Sequence, residues 1–262
     1  MAVTPTAARL AEMRQPSPCR ELHRREWLRR RSRATLSGIV RSNSREVNMS
    51  RFCSWAICIG ALFATCEDAL AQVCKPVAER NSELGCWIIA AEPVGNLSKS
   101  EAFWHLDVYL TSAAAKLAKT PSSAVVEAFG KTWLLTIADT GWRPEGGERV
   151  AEIGPLPVVA GETYAVQYME AVFAPGMTAP SHTHAGPEAW YTLSGETCLE
   201  TPDGKQIGRA GGEPVIIPGG PPMHLTATGT ERRRALVLIL HEAIKPPTTP
   251  AHHWMPKGLC KN

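Results

Sequence analysis

From residue 72 onward the hydrophobic positions fall in short runs divided by Gly and Pro. Residues 87–91, 103–110, 124–129 and 132–138 come first. Residues 164–173, 188–193, 196–201, 206–209, 214–217, 223–227 and 235–241 follow. Within 103–110, Trp104, Leu106, Val108 and Leu110 alternate with Phe103, His105, Asp107 and Tyr109. That is the period of two expected of a strand. It puts His105 and Asp107 together on one face, expected to be the wetted one. Residues 112–119 are Ala-rich and read as one short helix. Pro202-Asp203-Gly204-Lys205 has the chemistry of a tight turn, with Pro setting φ and Gly tolerating a positive one. Short strands with frequent turns predict an all-β sandwich, barrel or jelly roll. No long amphipathic helix is present in the pattern, which argues against alternating β and α units.

The first 71 residues break the pattern and read as processing sequence. Residues 1–48 carry eleven Arg against four Glu, with no sustained apolar period, and read as a basic leader. A twin-arginine-like string at residues 23–29 has no apolar stretch directly behind it. Residues 49–71 have the form of a signal peptide: Met49-Ser50-Arg51, the mostly apolar residues 52–66, then Ala69-Leu70-Ala71 before Gln72. The apolar run is short for a membrane span, so cleavage leaves no stable span, an uncleaved anchor being the alternative. The expected location is exported, periplasmic or secreted. The overall charge of +3 comes from the leader. The body has sixteen Lys and Arg against nineteen Asp and Glu, which gives no reason to expect nucleic acid.

Export changes the reading of cysteine. Cys74, Cys86, Cys198 and Cys260 remain after the cut, and an oxidising compartment permits bridges. A Cys86–Cys260 bridge would pin the Pro-rich tail at residues 244–262; Cys74 with Cys86 is the local alternative. Cys198, inside a strand, reads as a small buried hydrophobe.

One stretch carries candidate chemistry. His182 and His184 are two apart on an extended segment, so both project to the same face. Glu188 opens the next strand, across Ala185-Gly186-Pro187. Two imidazoles and a carboxylate suit a divalent transition metal (Mn, Fe, Zn, Ni or Cu) and leave coordination positions open. Trp190 and Thr192 share the parity of Glu188 and are candidates to line a ligand cavity. Tyr168, Glu170 and Glu200 are candidate proton-transfer groups. No nucleophile elbow, P-loop or dinucleotide fingerprint is present.

With Gly176 before it and Gly195 after it, this stretch resembles the first motif of the cupin superfamily: Gly, five residues, His-x-His, three or four residues, Glu, six residues, Gly. Gly212, Pro218 and Gly220 resemble the second motif, but Met223 stands where its His belongs and His224 follows one place later. The resemblance covers about residues 163–243 and implies a double-stranded β-helix, the cupin jelly roll, with a metal inside the barrel mouth. Residues 72–162 would then be additional N-terminal strands packed on the barrel, or a degenerate second half. The Gly-Pro-Glu-Ala-Trp-Tyr string at 186–191 is similar to that of small bacterial cupins. Strand parity makes Met223 and His224 alternatives. With a bulge His224 is a fourth ligand, and without one Met223 faces the cavity. His241 is a weaker substitute, and His252-His253 reads as a surface pair. The resemblance implies one bound metal and a small oxygen-bearing ligand, with a homodimer compatible. As an enzyme it would be a metal-dependent oxygenase, isomerase or lyase; the alternatives are a non-enzymatic ligand binder and a structural envelope protein.

Overall fold

The computed structural model describes residues 74–261, which lie in one compact unit. The leader expected at 1–48 and the signal peptide expected at 49–71 fall outside the described residues. Among the described residues no helix is long and apolar enough to cross a membrane.

Among the described residues fifteen strands form three sheets. The first half contributes β1 (Lys75–Pro76), β2 (Gly85–Asn96), β3 (Glu101–Tyr109), β4 (Ser123–Ala128), β5 (Lys131–Ala138) and β6 (Glu148–Pro157), with one short helix α1 (Ser112–Leu117). The second half contributes β7 (Thr163–Phe173), β8 (Thr178–His184), β9 (Glu188–Ser194), β10 (Glu196–Thr201), β11 (Gly204–Arg209), β12 (Val215–Ile217), β13 (Met223–Thr228), β14 (Arg233–Glu242) and β15 (Thr248–Pro250). The six-stranded sheet runs β1-β2-β7-β14-β9-β12, and the five-stranded sheet runs β11-β10-β13-β8-β15. Those two sheets form the jelly roll. A four-stranded sheet, β4-β5-β3-β6, makes a third layer.

The six-stranded sheet is the middle layer, and its sequence shows it. On β14 the odd positions Ala235, Val237 and Ile239 enter the barrel core with Met169, Trp190, Leu199 and Met223. The even positions Leu236, Leu238 and Leu240 enter a second core with Trp104, Leu106, Trp133 and Leu135 of the added sheet. Strands covered on both faces read as continuous apolar runs, as Ala235–Leu240 does here. The additional N-terminal strands are therefore not all an appendage. β2 pairs along β7 inside the barrel sheet itself, while β3 to β6 cover its outer face.

Two sequence expectations need correction. His105 and Asp107 are fully buried, not wetted. Asp107 accepts from Arg149 Nε at 2.8 Å, and His105 Nε2 donates to the Asp139 carbonyl at 2.9 Å. The chain at 139–149 folds over this face and supplies one polar partner to each side chain, while His105 Nδ1 and Asp107 Oδ2 stay buried without a hydrogen bond. Nor do Cys86 and Cys260 pair. Cys86 bridges Cys74, and Cys260 bridges Cys198, with Cα separations of 4.7 and 5.5 Å. The parallel pairing of β1 with β2 sets Lys75 against Trp87, which leaves Cys74 next to Cys86. Cys198 points off the barrel core because Thr197 and Leu199 take the inward positions. It meets the returning tail there and is a bridge half-cystine, not a free hydrophobe.

Candidate metal centre and ligand cavity

The motif lies on β8, the three-residue link and β9. His182 and His184 share one face of β8, their rings 4.8 Å apart between centroids. The link is held by backbone bonds from Leu240 N to the Pro187 carbonyl and from Glu242 N to the Ala185 carbonyl. It fits only because residue 186 is glycine, since a Cβ there would lie 2.1 Å from the Leu240 carbonyl oxygen. Gly219 packs against the Gly186 backbone from the other side, where its own Cβ would come within 2.5 Å. The two motifs thus meet through bare backbone, and this contact brings Glu188 beside the histidines.

The ligand-atom geometry is specific. One atom each from His182, His184 and Glu188 lie within 4.8 Å of one another. His182 Nδ1 donates to the Pro180 carbonyl at 2.6 Å, and His184 Nδ1 donates to the Pro247 carbonyl at 2.7 Å. A carbonyl only accepts, so each proton sits on Nδ1 and each Nε2 keeps its lone pair for the cavity. Carbonyl-oriented imidazoles are the usual support of histidine metal ligands. His184 Nε2 and Glu188 Oε2 are both buried without a hydrogen-bond partner, 3.4 Å apart. Two acceptors facing each other in a buried site are unfavourable. A cation between them relieves both, so the donor set fits a divalent metal.

Electrostatics favour this donor state at Glu188 and His182 and oppose it at His184. Burial works to raise the Glu188 pKa, but His184 and His182 hold it below the ordinary carboxylate value. Burial, together with its imidazole neighbours, lowers His182. Burial also opposes the charged form of His184, yet Glu188 raises it above the usual histidine value. Proton and metal therefore compete at His184.

The cavity beside these residues has a volume of about 70 Å³. Its walls are mostly apolar, with Met169, Phe173, Trp190, Leu225, Val237 and Ile239 among them, and the Cys74–Cys86 bridge at one edge. Met223 lines it, 1% exposed, and sits directly across from His182 in the strand register. His224 does not reach it. The bulge between β8 and β13 is real, but its extra residue is on β8: Met223 and Leu225 span two positions while His182 and Ala179 span three. β13 keeps plain alternation, so Met223, Leu225 and Ala227 face in and His224 faces out. There His224 lies opposite Glu200, whose carboxylate accepts from the Lys257 and Leu259 amides of the tail. Burial lowers the His224 pKa, with Glu200 opposing.

Of the other candidates, Trp190 lines the cavity and Thr192 does not. Thr192 keeps the parity of Glu188 but pairs with Ala235, past the cavity, and approaches the Gly208 position of β11. Tyr168 is buried in the outer core, where burial pushes its hydroxyl pKa far up. Glu170 pairs with Arg80 at 2.8 Å. None of Tyr168, Glu170 and Glu200 lines the cavity. His241 Nδ1 is taken by the Glu242 and Lys245 carbonyls, and His252 and His253 are exposed.

The residue missed by sequence reading is Arg233. It follows an exposed neighbour and precedes another: Arg232 and Arg234 both pair with Glu83, at 2.7 and 3.0 Å. Arg233 turns inward instead, 1% exposed, and lines the cavity. Its Cζ lies 5.3 Å from the Trp190 ring centroid and 5.7 Å from that of Phe173. Burial brings its pKa down to about 10, with Glu188 opposing. The signal was available: extending β14 by two residues puts Arg233 on the face of Ala235, Val237 and Ile239.

Residues 169–239 match the family model described as Cupin domain. No curated protein matches the chain. Similar solved structures include a cupin superfamily protein from Desulfitobacterium hafniense DCB-2, 19% identical, covering 33% of this chain and 73% of that one, with a TM-score of 0.27. An oxalate oxidase is 24% identical over 33% of this chain and 46% of its own, TM-score 0.29. A DMSP lyase from Ruegeria pomeroyi DSS-3 is 23% identical over 36% of this chain and 45% of its own, TM-score 0.29. The matched part spans less than half the length of the oxidase and the lyase. The jelly roll and the motif on β8 and β9 lie where the family model matches: residues 169–239 form a cupin domain.

Proposed function

We propose that this protein is an exported cupin that holds one divalent transition metal on His182, His184 and Glu188. It would take a small oxygen-bearing organic molecule into the adjoining cavity. The observation that carries the reading is the pair of buried, partnerless acceptors, His184 Nε2 and Glu188 Oε2, facing each other at 3.4 Å while both imidazoles spend their Nδ1 protons on carbonyls. Nitrogen and oxygen donors together suit Mn, Fe, Zn, Ni or Cu. With three protein ligands, the metal would keep open positions, where it polarises an oxygen ligand or activates water. Met223 and the apolar walls keep bulk water out, and the Pro180 and Pro247 carbonyls fix the imidazoles. Export rests on residues 49–71 and on the two bridges.

A second reading, a non-enzymatic ligand binder, has its own support. Beyond the three ligands, the cavity lining holds no carboxylate, Tyr or His among the described residues. A proton-transfer step would need to use the metal's own water or the ligand set. The test is untagged protein recovered from the periplasm, with its metal measured by elemental analysis and its N-terminus sequenced. About one divalent metal per chain, lost in His184→Ala, and a start at Gln72 are expected. Wild-type protein without metal would sink the metal reading, and retained residues 49–71 would sink the processing.

A further inference from the structure

Arg233 is a buried cation with no ion-pair partner among the described residues. Its Nε donates to the Thr197 hydroxyl, Nη2 is buried without a partner, and no carboxylate among the described residues forms an ion pair with it. Removing a guanidinium from water without a counter-charge costs several kcal/mol. The Phe173 and Trp190 rings on which it lies offset only part of that. Thr197 fixes the Nε side of the planar group, so the guanidinium is oriented as well as charged, and Arg233 lines the cavity. Arg232 and Arg234 show that the same string can find a surface acid. The inward position of Arg233 therefore comes from strand parity and is kept despite its cost.

We propose that Arg233 is the anchor for a small organic carboxylate, which defines the ligand class of the cavity. The inference rests on reading that cavity as the ligand site. A carboxylate matches the free edge of a guanidinium with two parallel hydrogen bonds. It also satisfies Nη2 and supplies the missing charge. A metal on the three ligands adds positive charge to the same space, since Glu188 alone cannot neutralise it. A cavity of about 70 Å³ admits a molecule of only a few heavy atoms. Its apolar walls suit a short carbon chain. The ligand is then a carboxylate whose remaining oxygen-bearing part is directed toward the His182–His184–Glu188 end.

The test is calorimetric titration of the mature protein with acetate and with acetamide, its uncharged isostere, in chloride-free buffer. It is run on zinc-loaded and metal-free samples whose metal content is measured in parallel. Acetate should bind at least about tenfold tighter than acetamide in the zinc-loaded protein. Arg233→Met should abolish that preference, and Arg233→Lys should retain part of it. Equal binding of acetate and acetamide by zinc-loaded wild type overturns the proposal and needs no variant to fold. Preference retained in a folded Arg233→Met protein also overturns it. Failure to load zinc would strike the metal reading instead. The acetate–acetamide preference of the metal-free protein then decides the role of Arg233 by itself.

Discussion

Met223→His puts an imidazole where parity already aims a side chain at the metal site. Met223 is 1% exposed, lines the cavity and lies across from His182. The substitution therefore has opposite effects in two states. Without metal, it exchanges a fully buried apolar side chain for a polar one with no partner. The lost burial is about 1.5–3 kcal/mol. For a domain of this size each kcal/mol moves Tm by about 2–4 °C, so the metal-free variant should melt about 3–12 °C lower. With metal, it adds a fourth protein ligand and should tighten zinc by about tenfold or more, equivalent to about 1.4 kcal/mol. The companion variant His224→Ala should leave zinc affinity within about threefold, because His224 points to the opposite face and the bulge that would turn it inward lies on β8. Chelator-competition titration measures the affinities, and scanning calorimetry of metal-free and zinc-loaded samples measures the stabilities. A tenfold loss in His224→Ala, or unchanged zinc affinity in a folded Met223→His protein, would refute the parity argument.

Three further outcomes follow from the fold. Removing the Cys198–Cys260 bridge opens a loop of 62 residues and should cost about 4 kcal/mol by loop entropy, against about 3 for the 12-residue Cys74–Cys86 loop; urea unfolding of Cys260→Ser and Cys74→Ser that reverses this order counts against it. Gly186→Ala forces a Cβ into the Leu240 carbonyl; it should cost about 1–3 kcal/mol and weaken metal binding by displacing Glu188, and unchanged binding would show that the link does not position the carboxylate. The pKa of His105 is lowered from 6.5 chiefly by burial, then by Arg149, with Asp139, Glu152 and Asp107 opposing. Its contribution to stability is therefore complete above pH 6.5 and declines as pH falls through the folded-state value, because the unfolded chain takes up a proton that the folded one resists. His105→Gln, which can keep a bond to the Asp139 carbonyl, should flatten the fall of Tm between about pH 6.5 and 5. Burial also lowers His182 and His224, so part of the slope should remain; an identical slope would exclude a role for His105.

The amino-acid order by itself determined every feature that depends on local periodicity or spacing. Most strands were legible because hydrophobic alternation or short apolar runs ended at Gly and Pro, and α1 because Thr111 precedes an Ala-rich turn whose Ala114 amide it caps. His182, His184 and Glu188 were legible for the same reason, since two-residue parity and a short link bring them together whatever the rest of the chain does. Strands β1, β6 and β15 were not drawn from the pattern, and β8 only as the extended segment carrying His182 and His184, since none has a plain apolar alternation. What required tertiary structure is whatever depends on a partner far along the chain. Whether the His105 and Asp107 face was wet depended on Arg149 and the chain at 139–149. Which cysteines met depended on the parallel pairing of β1 with β2 and on the path of the tail over β10. The choice between Met223 and His224 depended on which of two paired strands carried the extra residue, and one strand's sequence cannot show its neighbour's register. Arg233 is the sharpest case. Its residue type favours the surface, and its two neighbours obey that preference. Only the closed barrel, by giving the odd positions of β14 an interior, turns an arginine into part of a cavity wall.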